Sequence, residues 1–245
     1  MNKNSNTYQI LYAALMVLLV GVALAFIYMA LKPKQDVNIA NDKRSQILAS
    51  LHIDAPSESE IPATYEKYVT RDLLLDHEGN IVDSTKNAAF DIDMKKNLKL
   101  AENDRQLPML ECTLDDGSKK YVIPVYGAGL WGAIWGFVAV DDDGETVYGA
   151  DFSHESETPG LGARITEESF QQQYAGKRLF KEGAFKSVSV MKKGQRPVDG
   201  SDYVDAISGA TITSRGVGAM MQECIAPYEP FFQKIKNWQS RDPLR

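Results

Sequence analysis

The spacing of apolar positions along the chain changes twice. From residue 10 to residue 31 the sequence ILYAALMVLLVGVALAFIYMAL carries no charge, and a helix of that length, at about 1.5 Å per residue, spans roughly 33 Å. That matches a bilayer core and predicts a transmembrane helix, which Lys32-Pro33-Lys34 then stops. Residues 42–52 (DKRSQILASLH) place Ile47, Leu48 and Leu51 on one side of a short amphipathic helix. Residues 55–63 (APSESEIPA), with Pro56 and Pro62, read as a loop. Beyond them the pattern becomes that of strands: residues 72–75, 80–82, 110–114, 120–126, 134–140 and 147–152 alternate or run apolar for strand length. His77-Glu78-Gly79-Asn80, Asp115-Asp116-Gly117 and the acidic run Asp141 to Glu145 around Gly144 supply turns between them. Helical spacing returns at residues 167–174 and 214–225. The predicted class is α+β, a single N-terminal transmembrane helix followed by a largely antiparallel sheet with flanking helices. Residues 1–34 form the tail and anchor, 35–63 a linker with a short helix, and 64–245 one folded domain.

Charge and cysteine content narrow the function. A net charge of -6 and a pI near 5.2 leave no basic footprint for nucleic acid, and that partner class is set aside. Cys112 and Cys224 are the two cysteines; without a CxxC or a Cys/His pairing they read as thiols or as one disulfide, not as metal ligands. Ala23-Leu24-Ala25 offers a signal-peptidase-like site, but the apolar run continues past it to Leu31, which favours an uncleaved anchor. Lys3 precedes the span, whereas Lys32, Lys34, Lys43 and Arg44 follow it. That asymmetry leans toward a cytoplasmic C-terminal domain, although long domains translocate largely regardless of local charge.

Three motifs carry candidate chemistry. Gly127-Ala128-Gly129-Leu130-Trp131-Gly132 matches GxGxxG, but the following AIWGFVAVDDDG reads as a strand. A dinucleotide turn requires a helix there, so that reading is rejected. What remains is a tight bend beside Trp131 and Trp135, or a loop facing a planar ligand. His154-Glu155-Ser156-Glu157-Thr158-Pro159-Gly160-Leu161-Gly162 follows. Its His and Glu three apart could pair on a metal only in a helix, and Pro159-Gly160 argues for a loop, either a surface turn or a site. Last comes Asp205-Ala206-Ile207-Ser208-Gly209-Ala210-Thr211-Ile212-Thr213-Ser214-Arg215, leading into the 214–225 helix. Thr213 or Ser214 can cap that helix. Thr211 sits on the turn feeding its N-terminus, where unpaired amides and the dipole favour a phosphate and Arg215 could add a charge-assisted bond.

In this order, G-x-G-L-W, H-x-x-E-T-P-G-L-G and D-x-x-S-G-A-T-x-T-S resemble the FMN-binding domain of respiratory flavoprotein subunits, most of all the C subunit of sodium-translocating NADH:quinone reductases. The resemblance covers the N-terminal span and residues from about 42 to 225. It implies that FMN is esterified through its phosphate to Thr211 by a separate flavin transferase. It further implies that Asp205, Ser208, Gly209 and Ala210 complete the attachment motif, with Thr213 and Ser214 beside them as further cofactor-binding residues. Glu157, Thr158, Gly160 and Leu161 would border the flavin from one loop and Trp131 from another, with Lys177 near the phosphate or ribityl chain. No residue is assigned as acid, base or nucleophile in turnover.

The implied role is an electron relay among the other subunits of a membrane reductase, coupled indirectly to sodium export. The same resemblance places the flavin domain on the extracytoplasmic side of the bacterial inner membrane, against the lean of the lysines, and that side is adopted. Covalent attachment has a physical rationale there, because noncovalent FMN would be lost on each dissociation. Two rivals stand beside this reading. One is the flavin subunit of an Rnf-type ferredoxin:NAD complex, which residues 42–114 make less favoured. The other is a cofactor-free anchored extracytoplasmic binding domain.

Overall fold

The computed structural model describes residues 5–239, so Lys3, weighed for membrane orientation, lies outside the described residues. Helix α1 (Asn6–Ser50) is continuous where the sequence predicted a span and a separate short helix. Pro33 does not end it. A proline inside a helix removes one backbone hydrogen bond; here no further breaker follows before Ser50, and Lys32 Nζ pairs with Asp36 Oδ1 at 2.6 Å across the same turn. The helix is long and apolar enough to cross a membrane, and its large apolar side chains from Ile10 to Leu31 are exposed.

The chain divides into two compact units between Lys43 and Arg44. In the second, Ile47, Leu48 and Leu51 are buried, as their spacing predicts. The loop expected at 55–63 instead closes into a 3-10 turn (Glu58–Glu60) and helix α2 (Ile61–Tyr68). Pro62 stands in the first turn of α2, where its missing N–H costs the helix nothing.

A six-stranded antiparallel sheet follows, built from β1 (Val69–Leu75), β2 (Ile81–Asp83), β3 (Leu107–Thr113), β4 (Lys119–Ala128), β5 (Ala133–Asp141) and β6 (Val147–His154). Its order is β2-β1-β3-β4-β5-β6, with every pairing antiparallel. A short helix, α3 (Met94–Asn97), stands in the connection from β2 to β3, N-capped by Asp93. Gly117 and Gly144 take φ of +80° and +65° in the β3–β4 and β5–β6 turns, which is why glycine is needed in both. Gly127 to Gly132 form the β4–β5 hairpin, closed by Gly129 N donating to Gly132 O at 2.8 Å. Strand, not helix, therefore follows the GxGxxG run.

After β6 the chain forms α4 (Glu168–Gln171), a 3-10 turn (Gln172–Tyr174) and the small hairpin β7 (Phe180–Lys181) and β8 (Ala184–Phe185). Next come β9 (Ser189–Met191) and β10 (Tyr203–Asp205), which pair in parallel. Helices α5 (Thr211–Ile225) and α6 (Glu229–Gln239) end the described chain. α5 lies on the sheet and buries Val217, Met220, Met221, Cys224 and Ile225 with Ile123, Val125 and Ile134 of β4 and β5. At roughly 1.5–3 kcal/mol per fully buried aliphatic side chain, this face anchors the helix and fixes where its first turn emerges. The approach is close: a Cβ on Gly127 would stand 2.9 Å from Met220 Cβ. Cys112 and Cys224 are both buried and free, so the disulfide alternative is not realised.

Candidate functional site

The site begins at the N-terminus of α5. Ser208-Gly209 makes the turn into it, with Gly209 at φ +81° and Ala210 N bonded to Ile207 O at 3.1 Å. Thr211 is the first helical residue, and Ala210 before it makes no side-chain capping bond. The helix expected over 214–225 begins three residues earlier, with Ala210 in the N-cap position, so Thr213 and Ser214 lie inside its first turn and cannot cap it; their hydroxyls are engaged elsewhere. Ser214 Oγ accepts from Ile207 N at 3.1 Å, and Thr213 Oγ1 donates to Glu157 Oε2 at 2.6 Å. Thr213 and Ser214 are 1% and 0% exposed, whereas Thr211 is half-buried and Arg215 exposed. An uncapped first turn presents amides without intrahelical partners, and the dipole there favours an anion.

Glu157 joins the three motifs. It is 4% exposed. Trp131 N donates to its Oε1 at 2.8 Å while Thr213 holds its Oε2, so one carboxylate ties the β4–β5 hairpin and the loop after β6 to α5. His154 Nδ1 accepts from Glu157 N at 3.2 Å, and Ser156 Oγ donates to Trp131 O at 2.9 Å. Gly129 and Gly162 line the carboxylate so closely that a Cβ on either would collide with it. Burial by itself would push the Glu157 carboxyl up. The hydroxyl of Thr213 and the amides of Trp131, Leu130 and Gly132 together outweigh that, and hold it below the ordinary carboxylate range.

The loop from Thr158 to Leu161 turns on Gly160 (φ +75°), with Leu161 N and Ala163 N both donating to Thr158 O at 3.1 Å. Leu161 Cδ2 would stand 2.9 Å from a Cβ on Gly209, which sets this loop against the turn into α5. Leu130, Trp131, Leu161 and Ile212 are 47%, 65%, 42% and 56% exposed, an apolar frame on the segments that meet at Glu157.

The remaining predicted residues, Asp205, Ser208 and Lys177, have other neighbours. Asp205 N donates to Gln173 Oε1 at 2.8 Å. Asp205 and Ser208 line a cavity of about 240 Å³ with Arg164, Glu167, Gln173 and Lys193. Lys177 is not tied to the Glu157 cluster; its Nζ lies 5.9 Å from the ring centroid of Tyr203 on β10. Gly129 and Gly162 stand in motifs singled out from the sequence, but nothing in their spacing says that a carboxylate lies against them. Leu130 and Ile212 are the framing residues that no motif assigned to the site. A larger cavity, about 510 Å³ between α2 and β1 with Arg44, Tyr65 and Arg71 in its wall, shares none of these residues.

Comparison with known proteins gives the family and the fold. Residues 129–226 match the FMN-binding domain family, a stretch that contains the Trp131 hairpin, Glu157 and α5. The C subunit of the Na(+)-translocating NADH-quinone reductase of Vibrio anguillarum is 32% identical over 222 residues, covering 84% of this chain and 86% of the relative. The crystal structure of the corresponding protein from Parabacteroides distasonis superposes with a TM-score of 0.76 at 42% identity, over 82% of this chain and 96% of that one. Shewanella oneidensis NqrC gives a TM-score of 0.66 at 27% identity, over 83% and 98%. The hairpin, loop and uncapped helix thus sit in a scaffold shared over more than four-fifths of this chain, and the chain belongs to the NqrC family, the C subunits of Na(+)-translocating NADH-quinone reductases.

Proposed function

We propose that this chain is the membrane-anchored, FMN-carrying electron-relay subunit of a sodium-translocating NADH:quinone reductase, with the FMN phosphate esterified to Thr211. The observation that carries the attachment site is the contrast among hydroxyls on one helical turn. Thr213 and Ser214 are buried and hydrogen-bonded, which leaves Thr211 as the half-buried hydroxyl at an uncapped helix start. The surroundings fit the group: first-turn amides suit a phosphodiester, and exposed Leu130, Trp131, Leu161 and Ile212 offer apolar surface to a planar ring. FMN, when bound, supplies reversible electron uptake and release. The chain's own residues hold the phosphate, frame the ring and keep water from part of its surface. Attachment falls to a flavin transferase acting on the D-x-x-S-G-A-T segment, and electron donor and acceptor are other subunits of the complex.

The apolar run of residues 10–31 anchors residues 64–245 on the extracytoplasmic side, and residues 35–63 join the two. Coupling to sodium export is a property of the assembled complex. The test is co-expression with a flavin transferase and inspection of a denaturing gel for flavin fluorescence. A fluorescent wild-type band, lost in Thr211→Val and kept in Thr213→Val, is the expected result. A dark wild-type band, or fluorescence that persists in Thr211→Val, overturns the assignment.

A further inference from the structure

Glu157 stands in the family loop expected to border the flavin, yet both of its oxygens are already taken. Oε1 accepts from Trp131 N at 2.8 Å and Oε2 from Thr213 Oγ1 at 2.6 Å, and the side chain is 4% exposed. Gly129 and Gly162 close over the carboxylate so tightly that neither position has room for a methyl group. A carboxylate so enclosed has no free face for a ligand. It also takes the Thr213 hydroxyl and not the first-turn amides of α5, which leaves those amides available at Thr211. The hairpin it holds contains Gly127, Gly129 and Gly132, a run whose backbone freedom would otherwise leave Trp131 poorly placed.

We infer that Glu157 is a positioning residue and not a flavin ligand: it clamps the Trp131 hairpin to the first turn of α5 and so sets the pose of a ring tethered at Thr211. The inference rests on the reading of Thr211 as the attachment point. It implies a separation of roles, in which Thr211 decides whether the flavin is present and Glu157 decides how firmly it is held.

The clamp is tested first without flavin, in the full-length Thr211→Val chain in detergent. Hydrogen exchange of residues 129–133 is followed by mass spectrometry with and without Glu157→Ala. Loss of a hydrogen bond to a charged acceptor predicts exchange at Trp131 faster by about ten- to a hundred-fold, with Glu157→Gln, which keeps one acceptor oxygen and the shape, falling between. The pose is then tested in chains with Thr211 intact. Glu157→Ala should still be flavinylated, but with lower flavin fluorescence anisotropy and a shifted midpoint potential, both partly rescued by Glu157→Gln. A global unfolding curve of Glu157→Gln separates clamp loss from general unfolding should Glu157→Ala fail to fold. Unchanged exchange at residues 129–133 removes the clamp. Faster exchange with unchanged anisotropy and potential removes its role in the pose. A wild-type chain without flavin sinks the Thr211 reading and the pose with it, while the exchange measurement still decides the clamp.

Discussion

Two regions of this molecule expose large apolar side chains, and they do so for different physical reasons. Along residues 10–31, Leu, Val, Ile and Phe cover the helix on all sides, with no charged side chain among them. Such a surface has no polar complement and suits hydrocarbon, where α1 satisfies its own backbone. Around α5, by contrast, Leu130, Trp131, Leu161 and Ile212 surround an uncapped helix terminus, and the hairpin that carries Trp131 is held by a hydrogen bond to a buried carboxylate. That surface is small, framed by polar groups and suited to one planar anionic ligand. Amount of exposed apolar area is therefore a poor guide to role; what lies beside it decides.

Substitutions can break the comparison at either region. The largest effect is expected at Thr211. Thr211→Val should abolish covalent flavin completely, read as in-gel fluorescence, while its unfolding curve stays near wild type because the side chain is only half-buried. Thr213→Val should do the opposite, keeping flavin and costing about 1.5–3 kcal/mol for a lost hydrogen bond to a charged acceptor. At the other region, Leu19→Arg combined with Val20→Arg adds about 2.5–3.5 kcal/mol per charge to membrane insertion. Carbonate extraction should then find the chain outside the membrane pellet. An unchanged pellet fraction would mean that α1 does not cross a bilayer.

Two glycine substitutions and a pH profile sharpen the picture around Glu157. Gly162→Ala places a methyl against Glu157 Oε2 and Thr213 Oγ1, and should destabilise by roughly 2–4 kcal/mol. Gly160→Ala, at φ +75° but with open space around it, should cost only roughly 1–2 kcal/mol. Chemical denaturation of the pair tests whether crowding of the carboxylate or backbone strain matters more. The smallest effect is a pH dependence. Glu157 is held below the ordinary carboxylate range, so its contribution is complete above the unfolded value of about 4.3 and is lost as pH falls through the lower folded value. The stability difference between wild type and Glu157→Gln should thus shrink on acidification below about pH 5 and stay constant above it. A difference that grows on acidification would mean that Glu157 is held protonated instead.

Much of the sheet was legible because its strands alternate between glycine-bearing turns. Residues 134–140 and 147–152 lie within β5 and β6, and Gly117 and Gly144 mark the turns. The parallel β9–β10 pair was not legible, since three residues per strand are too few for alternation to register. Pro33 and Pro62 misled in opposite ways: the first was read as a helix stop and lies inside α1, the second was read as loop and opens α2. Local propensity sees the residue, while its place in a helix depends on neighbours and packing.

Sequence by itself determined the apolar span, the antiparallel α+β domain and the three motifs whose order marks the family. These are properties of spacing along one chain, which turns, periods and helix starts record directly. Only the tertiary structure decided that Thr213 and Ser214 are buried while Thr211 is accessible, and that Glu157 is occupied on both oxygens. Those facts depend on contacts across 26 and 56 residues of sequence. Such contacts exist only once α5 is packed on the sheet and the two loops are brought against its first turn.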